Sequence, residues 1–316
     1  MKKYILTLLT ITLLVNTFAQ KRTTVSYFKN GMLTDNKNDY DYRRVVQETD
    51  TPSLYSLFEF YPDNKEKTIA TVSKFEPNVV YEGTKQGFNK KGVLTSKVNY
   101  KNGNLTGTCT YYFDDGKPEN VFEYDERDEK TKNPEKPNRK WITGIDSLGN
   151  QFITDGNGFY KKNGKEEQEE GNYLNGYKDG LWKGSTNKSS YEEKYENGIF
   201  KSGVATLADG KQVKYNKMEV QPEFRGGIAE FYRYLGRSYK FPAEAMRNHV
   251  NGKLYVSFVV ERDGSLTDLS FKNNLGYGTQ DEAIRVLNEC PKWIPGKQHG
   301  LPVRVKYNIN INLAQP

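Results

Sequence analysis

Two histidines, His249 and His299, and two cysteines, Cys109 and Cys290, are all that the 316 residues contain of the side chains that most often ligate metals or act as nucleophiles. None stands in a His-x-x-His, Glu-x-x-His or Cys-x-x-Cys spacing, so no metal site is expected. No Gly-x-Ser-x-Gly elbow is present. Gly226-Gly227 and Gly276-Tyr277-Gly278 lack the Lys-Ser/Thr that completes a phosphate loop, and read as a helix-entry turn and a connection. The cysteines fall in different regions and are expected to be unpaired, partly buried thiols. A carboxylate pair acting on cell-wall carbohydrate is the one enzymatic alternative, because Asp and Glu are abundant. The reading is a protein with no catalytic residue, no cofactor and no metal.

The chemistry that the residues favour is that of the main chain. Val303, Val305, Tyr307, Ile309, Ile311 and Leu313 alternate strictly with polar residues, the pattern of a strand with one buried face. Pro302 can open this strand, and no proline interrupts Val303 to Leu313. A strand at a sheet edge keeps a row of free N–H and C=O groups that can take up another extended chain.

The elements that would position it begin at Glu219. Ile228, Phe231, Tyr232 and Leu235 recur at helical spacing over Gly227 to Leu235. Pro242 sits at the first turn of a short helix, Ala243 to Asn248. Gly252 to Glu261 puts Leu254, Val256, Phe258 and Val260 on one face and Tyr255, Ser257 and Val259 on the other. Asp263-Gly264 marks a hairpin, and Ser265 to Lys272 is the return strand. Thr279 with Glu282 reads as a capping box that opens a further helix. The sum is an α+β module with a three-stranded antiparallel sheet.

Residues 21 to 216 read differently, as an all-β antiparallel repeat meander. Tyr27-Phe28-Lys29-Asn30-Gly31, Tyr100-Lys101-Asn102-Gly103, Tyr160-Lys161-Lys162-Asn163-Gly164, Tyr173-Leu174-Asn175-Gly176 and Tyr195-Glu196-Asn197-Gly198 repeat one phrase, the last two 22 residues apart. Asn-Gly supplies the positive φ of a tight hairpin turn, and the flanking aromatics alternate with polar residues. The phrase resembles the MORN-type repeat, most clearly over 171 to 210 and more weakly over 81 to 125, with the register lost between 30 and 80. In that family such meanders are scaffolds and interaction surfaces. Glu126 to Lys140 has two prolines, mixed charge and no periodicity, and reads as a solvated loop. The expected organisation is 1–20, 21–125, loop 126–140, 141–216 and 217–316.

Several phrases of the last part stand in an order that resembles the TonB C-terminal domain, over about 219 to 314. They are Phe241-Pro-Ala-Glu-Ala245, Gly252 to Gly264, Asp281 to Val286, Trp293-Ile-Pro-Gly-Lys297 and Pro302 to Tyr307. The resemblance implies a fold of two helices and a three-stranded sheet. It also implies a periplasmic module that captures a short extended segment of an outer-membrane TonB-dependent transporter, added as a strand. By this resemblance the docking edge is Val303, Arg304, Val305, Lys306, Tyr307, Asn308 and Ile309. Ser238, Tyr239 and Lys240, just before the Phe-Pro pair, match a contact region of the family, with other residue types. Two features depart from a TonB energy transducer. The N-terminal segment looks cleavable, and repeats stand where the family has a Pro-rich spacer.

Lys2 and Lys3, the apolar run Ile5 to Val15 and the exit Asn16 to Gln20 have the order of a signal peptide, cleaved after Ala19 or nearby. The run is too short to span a bilayer, so an inner-membrane anchor is the lesser reading and no span is expected after cleavage. The net charge of +7 is small and dispersed, unlike a nucleic-acid footprint. The chain is therefore expected in the periplasm or envelope of a Gram-negative bacterium, binding a transporter or another envelope protein. The alternative is a secreted or envelope scaffold in which the last module is structural or forms a homodimer.

Overall fold

A computed structural model describes residues 21–126, 137–186 and 189–314. The expected signal segment 1–20 lies outside the described residues, as does most of the expected loop 126–140. Arg139 and Lys140, from the end of that loop, already open the strand Arg139–Ile145. Two compact units divide the chain, one within Met1–Lys132 and Gly144–Asn150, the other within Asn133–Thr143 and Gln151–Pro316. No helix among the described residues is long and apolar enough to cross a membrane.

The first unit is an antiparallel meander running from Thr23–Lys29 to Pro118–Tyr124. Asn30-Gly31 and Asn102-Gly103 make the two-residue turns that their types require, with φ of 51° and 76°, and 50° and 76°. Pairing also continues through Tyr42–Glu48, Tyr55–Phe60 and Glu66–Lys74, where the repeated phrase is absent. Alternation alone suffices there: Leu57 and Val72 are fully buried while their neighbours point outward. Glu59 is buried on the same sheet and is paid in kind by three partners, Arg44 (2.8 Å), Lys67 (2.8 Å) and Thr68 (2.9 Å). Cys109 is buried and free.

In the second unit the meander runs from Gln151–Thr154 through Asn157–Asn163, Glu167–Leu174, Tyr177–Thr186, Ser189–Glu196 and Ile199–Leu207 to Gln212–Tyr215. Asn175-Gly176 and Asn197-Gly198 form two-residue turns as expected. Asn163-Gly164 does not. Asn163 pairs with Gln168, and Gly164 starts a wider turn closed by its N–H donating to the Glu167 carbonyl (3.0 Å). Lys165-Glu166 lengthen the loop beyond what an Asn-Gly turn spans. The glycines inside the strands have a separate task. Gly171 lies under the Trp182 ring, Gly184 under Tyr191 and Gly203 under Tyr215, and a Cβ at any of them would enter the ring. Each of these aromatic side chains thus lies across the backbone of the preceding strand. Ring follows ring along the sheet, Tyr160 to Tyr173 to Trp182 to Tyr195 to Phe200 to Tyr215, at centroid separations of 5.3–6.3 Å.

The last hundred residues form helices and a three-stranded sheet. Helix α1 is Gly227–Ser238, α2 is Ala243–Arg247 and α3 is Thr279–Asn288. The short α2 makes three helices where the family fold named two. The sheet order is Leu266–Phe271, Gly252–Val260, Val305–Leu313, with Gly252–Val260 in the middle. Leu254, Val256, Phe258 and Val260 are buried, as their alternation requires. They meet Phe231 and Leu235 of α1, Val286 and Leu287 of α3, and Trp293. Ile228 and Tyr232 of α1 stay out of this core, at 44% and 41% exposure. Asp263-Gly264 closes the hairpin, with Gly264 at φ 84° and the Asp263 carboxylate accepting the Ser265 N–H (3.0 Å). The capping box at α3 is not formed. Gly278 holds the cap position, the Thr279 hydroxyl donates to the Gly276 carbonyl (2.7 Å), and Glu282 turns to Lys240 and Arg285. Pro242 is likewise one position earlier than expected, at the cap of α2. Cys290 is half-buried and free, and burial pushes its thiol up to about 11.

Gly171→Ala should destabilise the protein by about 1–3 kcal/mol, because the added methyl enters the Trp182 ring. Gly236→Ala, in an open position on α1, should be neutral or stabilising by up to about 1 kcal/mol. Urea midpoints at unchanged m-value decide both.

Candidate docking edge

The last strand begins at Val305, two residues later than its alternation pattern. Val303 is committed before it, its N–H donating to the Gly296 carbonyl (2.9 Å). The Arg304 guanidinium bonds Glu261 (2.9 Å) and Asp268 (2.9 Å), which ties the strand's entry to the Gly252–Phe271 hairpin. These bonds hold the Glu261 carboxyl below, and the Arg304 guanidinium above, their ordinary values.

Hydrogen-bond alternation shows which backbone groups of the strand are free. On the central strand, Tyr255 donates its N–H to Asn273 Oδ1 (2.9 Å) and accepts the Lys272 N–H (3.0 Å). Tyr255 therefore faces the Leu266–Phe271 side. In antiparallel pairing the residues one step away, Leu254, Val256, Phe258 and Val260, face the last strand. Their partners there are Ile311, Ile309, Tyr307 and Val305. The residues between, Lys306, Asn308, Asn310 and Asn312, turn their N–H and C=O groups outward. No described strand pairs with that side.

The side chains divide the same way. Ile309, Ile311 and Leu313 are buried, Tyr307 packs on Trp293 (5.1 Å) and Phe258 (5.8 Å), and Lys306 and Asn308 are exposed. Of the expected edge, Lys306 and Asn308 thus present backbone outward, whereas Val305, Tyr307 and Ile309 anchor the strand to the core. At its far end the strand borders a groove of about 470 Å³ lined by Tyr232, Leu235, Gly236, Tyr239 and Phe241 opposite Ile311 and Leu313. Tyr232 also donates to Asn310 Oδ1 (3.3 Å), so α1 approaches the edge at that point. Tyr239 is the one member of the Ser238–Lys240 group that joins the groove. The Ser238 carbonyl accepts from Arg285 (2.8 Å), and the Lys240 N–H donates to Glu282 (2.8 Å), so both are bound to α3. The Tyr239 hydroxyl donates to the Thr279 carbonyl (2.8 Å).

A further arrangement lies at the entry to this strand, and the sequence did not reveal it. Lys297–Gln298 and Leu301–Pro302 form a small hairpin that also pairs with Glu219–Val220. Its two-residue turn is His299-Gly300, at φ 49° and 74°. His299 enters the aromatic face of the meander, stacked on Tyr191 at 4.1 Å. Its Nδ1–H donates to Glu193 Oε1 (2.6 Å), and the same carboxylate accepts from Tyr215 (2.6 Å) and Tyr195 (2.8 Å). The Glu193 side chain has no exposed surface. Burial pushes its carboxyl up, but the bonds from His299, Tyr215 and Tyr195 outweigh it and hold it below the ordinary 4.5. Burial and the charge on Glu193 hold the Tyr195 and Tyr215 hydroxyls well above their ordinary value. The Tyr191-x-Glu193-x-Tyr195 alternation places all three on one face, but nothing local marks His299 as their partner. His249, by contrast, is exposed in the link after α2. Among the described residues no group of three His, Cys, Asp or Glu side chains is placed to hold a metal ion.

Glu193 is ionised in the fold with a depressed pKa, so its contribution is complete above about pH 4.5, the unfolded value, and is lost as pH falls through the lower folded value. Thermal midpoints from about pH 6 to pH 3 should fall more steeply for the native chain than for Glu193→Gln. Parallel curves would show that Glu193 does not titrate with unfolding.

Residues 237–313 match the family model described as Gram-negative bacterial TonB protein C-terminal. No curated protein and no solved structure matches the chain.

Proposed function

We propose that this is a TonB-like envelope protein whose last module captures an extended segment of an outer-membrane transporter, or of a related envelope protein, by strand addition. The observation that carries the reading is the open edge at Lys306 and Asn308, in a module matched to the TonB C-terminal family. An incoming strand bonds the outward groups of Lys306, Asn308 and Asn310, and its length brings it to the groove beside α1. The role is binding, not catalysis, and supports transport across the outer membrane from the periplasmic side. The meanders serve as MORN-like scaffold. A second copy of the chain offering the same edge is the competing occupant, and would make the module a dimerising unit instead.

Asn308→Pro removes an outward N–H and leaves the inward ladder intact, which proline tolerates on an edge strand. Synthetic peptides from the N-terminal segments of outer-membrane transporters, titrated by fluorescence anisotropy, should bind the full chain. The substitution should weaken them by about tenfold or more, which is about 1.4 kcal/mol. The thermal midpoint should move by only a few degrees. Undiminished binding to Asn308→Pro would falsify edge capture. Sedimentation of the free chain as a dimer that Asn308→Pro dissociates would move the edge to self-association.

A further inference from the structure

The part matched to the family begins at residue 237, yet the docking strand is anchored through a residue of the meander far upstream. The connections can be followed in order. Glu193, with no exposed side-chain surface, accepts the His299 Nδ1–H (2.6 Å). His299 sits at φ 49° in a two-residue turn with Gly300, a left-handed conformation that residues other than glycine rarely adopt. Its backbone N–H donates to the Met218 carbonyl (2.9 Å), and Gly300 lies against the Tyr215 ring with no room for a Cβ. The hairpin so held ends at Pro302. Val303 then bonds back to Gly296, and the Val305 side chain closes over Gly296, where a Cβ would come within 2.6 Å of it. Two residues after Pro302 comes Arg304 with its two carboxylates, and the docking strand follows.

We propose that the last repeat strands are a working part of the peptide-capturing module, with Glu193 as the positioning residue that sets the entry of the docking strand through His299. The proposal rests on the docking reading above, but its first test needs no partner. A buried carboxylate stays ionised only where donors surround it, so it selects one position for the His299 ring among those open to a surface hairpin. Any rotation of the hairpin shifts Val303 and Val305. Those are the residues from which the register of Lys306 and Asn308 is counted. The meander is thereby coupled to the edge: a load or a partner that moves Ser189–Glu196 changes the strand that captures the peptide.

The experiment is residue-resolved hydrogen exchange on the full chain. The Val305 and Tyr307 amides point inward to the central strand, and so report on whether the docking strand is seated. In Glu193→Gln and in His299→Asn, they should exchange about tenfold faster or more beyond any rise shared by α3 and the Leu266–Phe271 strand. Asparagine tolerates the left-handed turn, so the second variant removes the ring without breaking the hairpin. A purely structural Glu193 would raise exchange everywhere together through lower global stability. That outcome, or unchanged exchange at Val305 and Tyr307, overturns the proposal. In the peptide titration the same variants should bind more weakly by a similar factor. Faster local exchange with no peptide bound by the native chain would leave the coupling standing and refute the docking reading.

Discussion

A carboxylate without solvent contact is among the most demanding groups a fold can contain, because each of its lone pairs must meet a donor. Glu193 satisfies that demand from two strands of the meander and one hairpin of the C-terminal module, through Tyr195, Tyr215 and His299. The demand also fixes register. In Ser189–Glu196 the side chains alternate between faces, so slipping by one residue would turn Tyr191, Glu193 and Tyr195 to solvent and bring Glu192 and Lys194 inside. One polar contact thus specifies the pairing of the strand that carries it, the position of a hairpin about a hundred residues later, and the start of the strand beyond.

The two parts of the second unit bury apolar surface in different ways. The α+β part does it conventionally, with helices laid over a sheet and Trp293 at the centre of Phe224, Phe231, Phe258 and Tyr307. Around the meander the rings cover the sheet themselves. A tyrosine or tryptophan laid over a glycine of the preceding strand covers backbone and neighbour together, and contributes where no second layer is required. This explains why the repeated phrase pairs aromatics with glycines. The Asn-Gly glycines set φ, and the glycines within the strands leave room. It also explains why polar content can be so high: half of every strand faces water, and the other half is filled by a few large rings.

Much of this was legible in the sequence because it depends on near neighbours. Alternation located the strands, the helical spacing of Phe231 and Leu235 located α1, and Asn-Gly located the turns at 30, 102, 175 and 197. The failures share a cause. The Thr279–Glu282 capping box has the right local spelling, but Glu282 meets Arg285 and the Lys240 N–H, and the Thr279 hydroxyl is drawn to Gly276. Val303 continues the strand's alternation, yet the Gly296 carbonyl takes its N–H first. The same holds for His299-Gly300, which takes a two-residue turn usually spelled with asparagine. Its left-handed histidine is stabilised by Glu193 and Tyr191, residues that no local window includes.

An open sheet edge invites unwanted pairing, and proteins normally blunt it. Here the blunting is uneven along one strand. Toward Leu313, α1 closes in, and Tyr232 reaches across to Asn310. Toward Val305, the protection is weaker and of two kinds: a positive charge at Lys306, and Arg304 held back on Glu261 and Asp268. Lys306 opposes antiparallel self-pairing centred on itself, since that register places the two lysines opposite each other. It favours an incoming chain that is neutral or acidic. The edge is open at Lys306 and Asn308 and is approached by α1 at Asn310. Charge repulsion therefore weighs against that one self-pairing register, whereas main-chain hydrogen bonding alone would serve a foreign segment and a second copy equally.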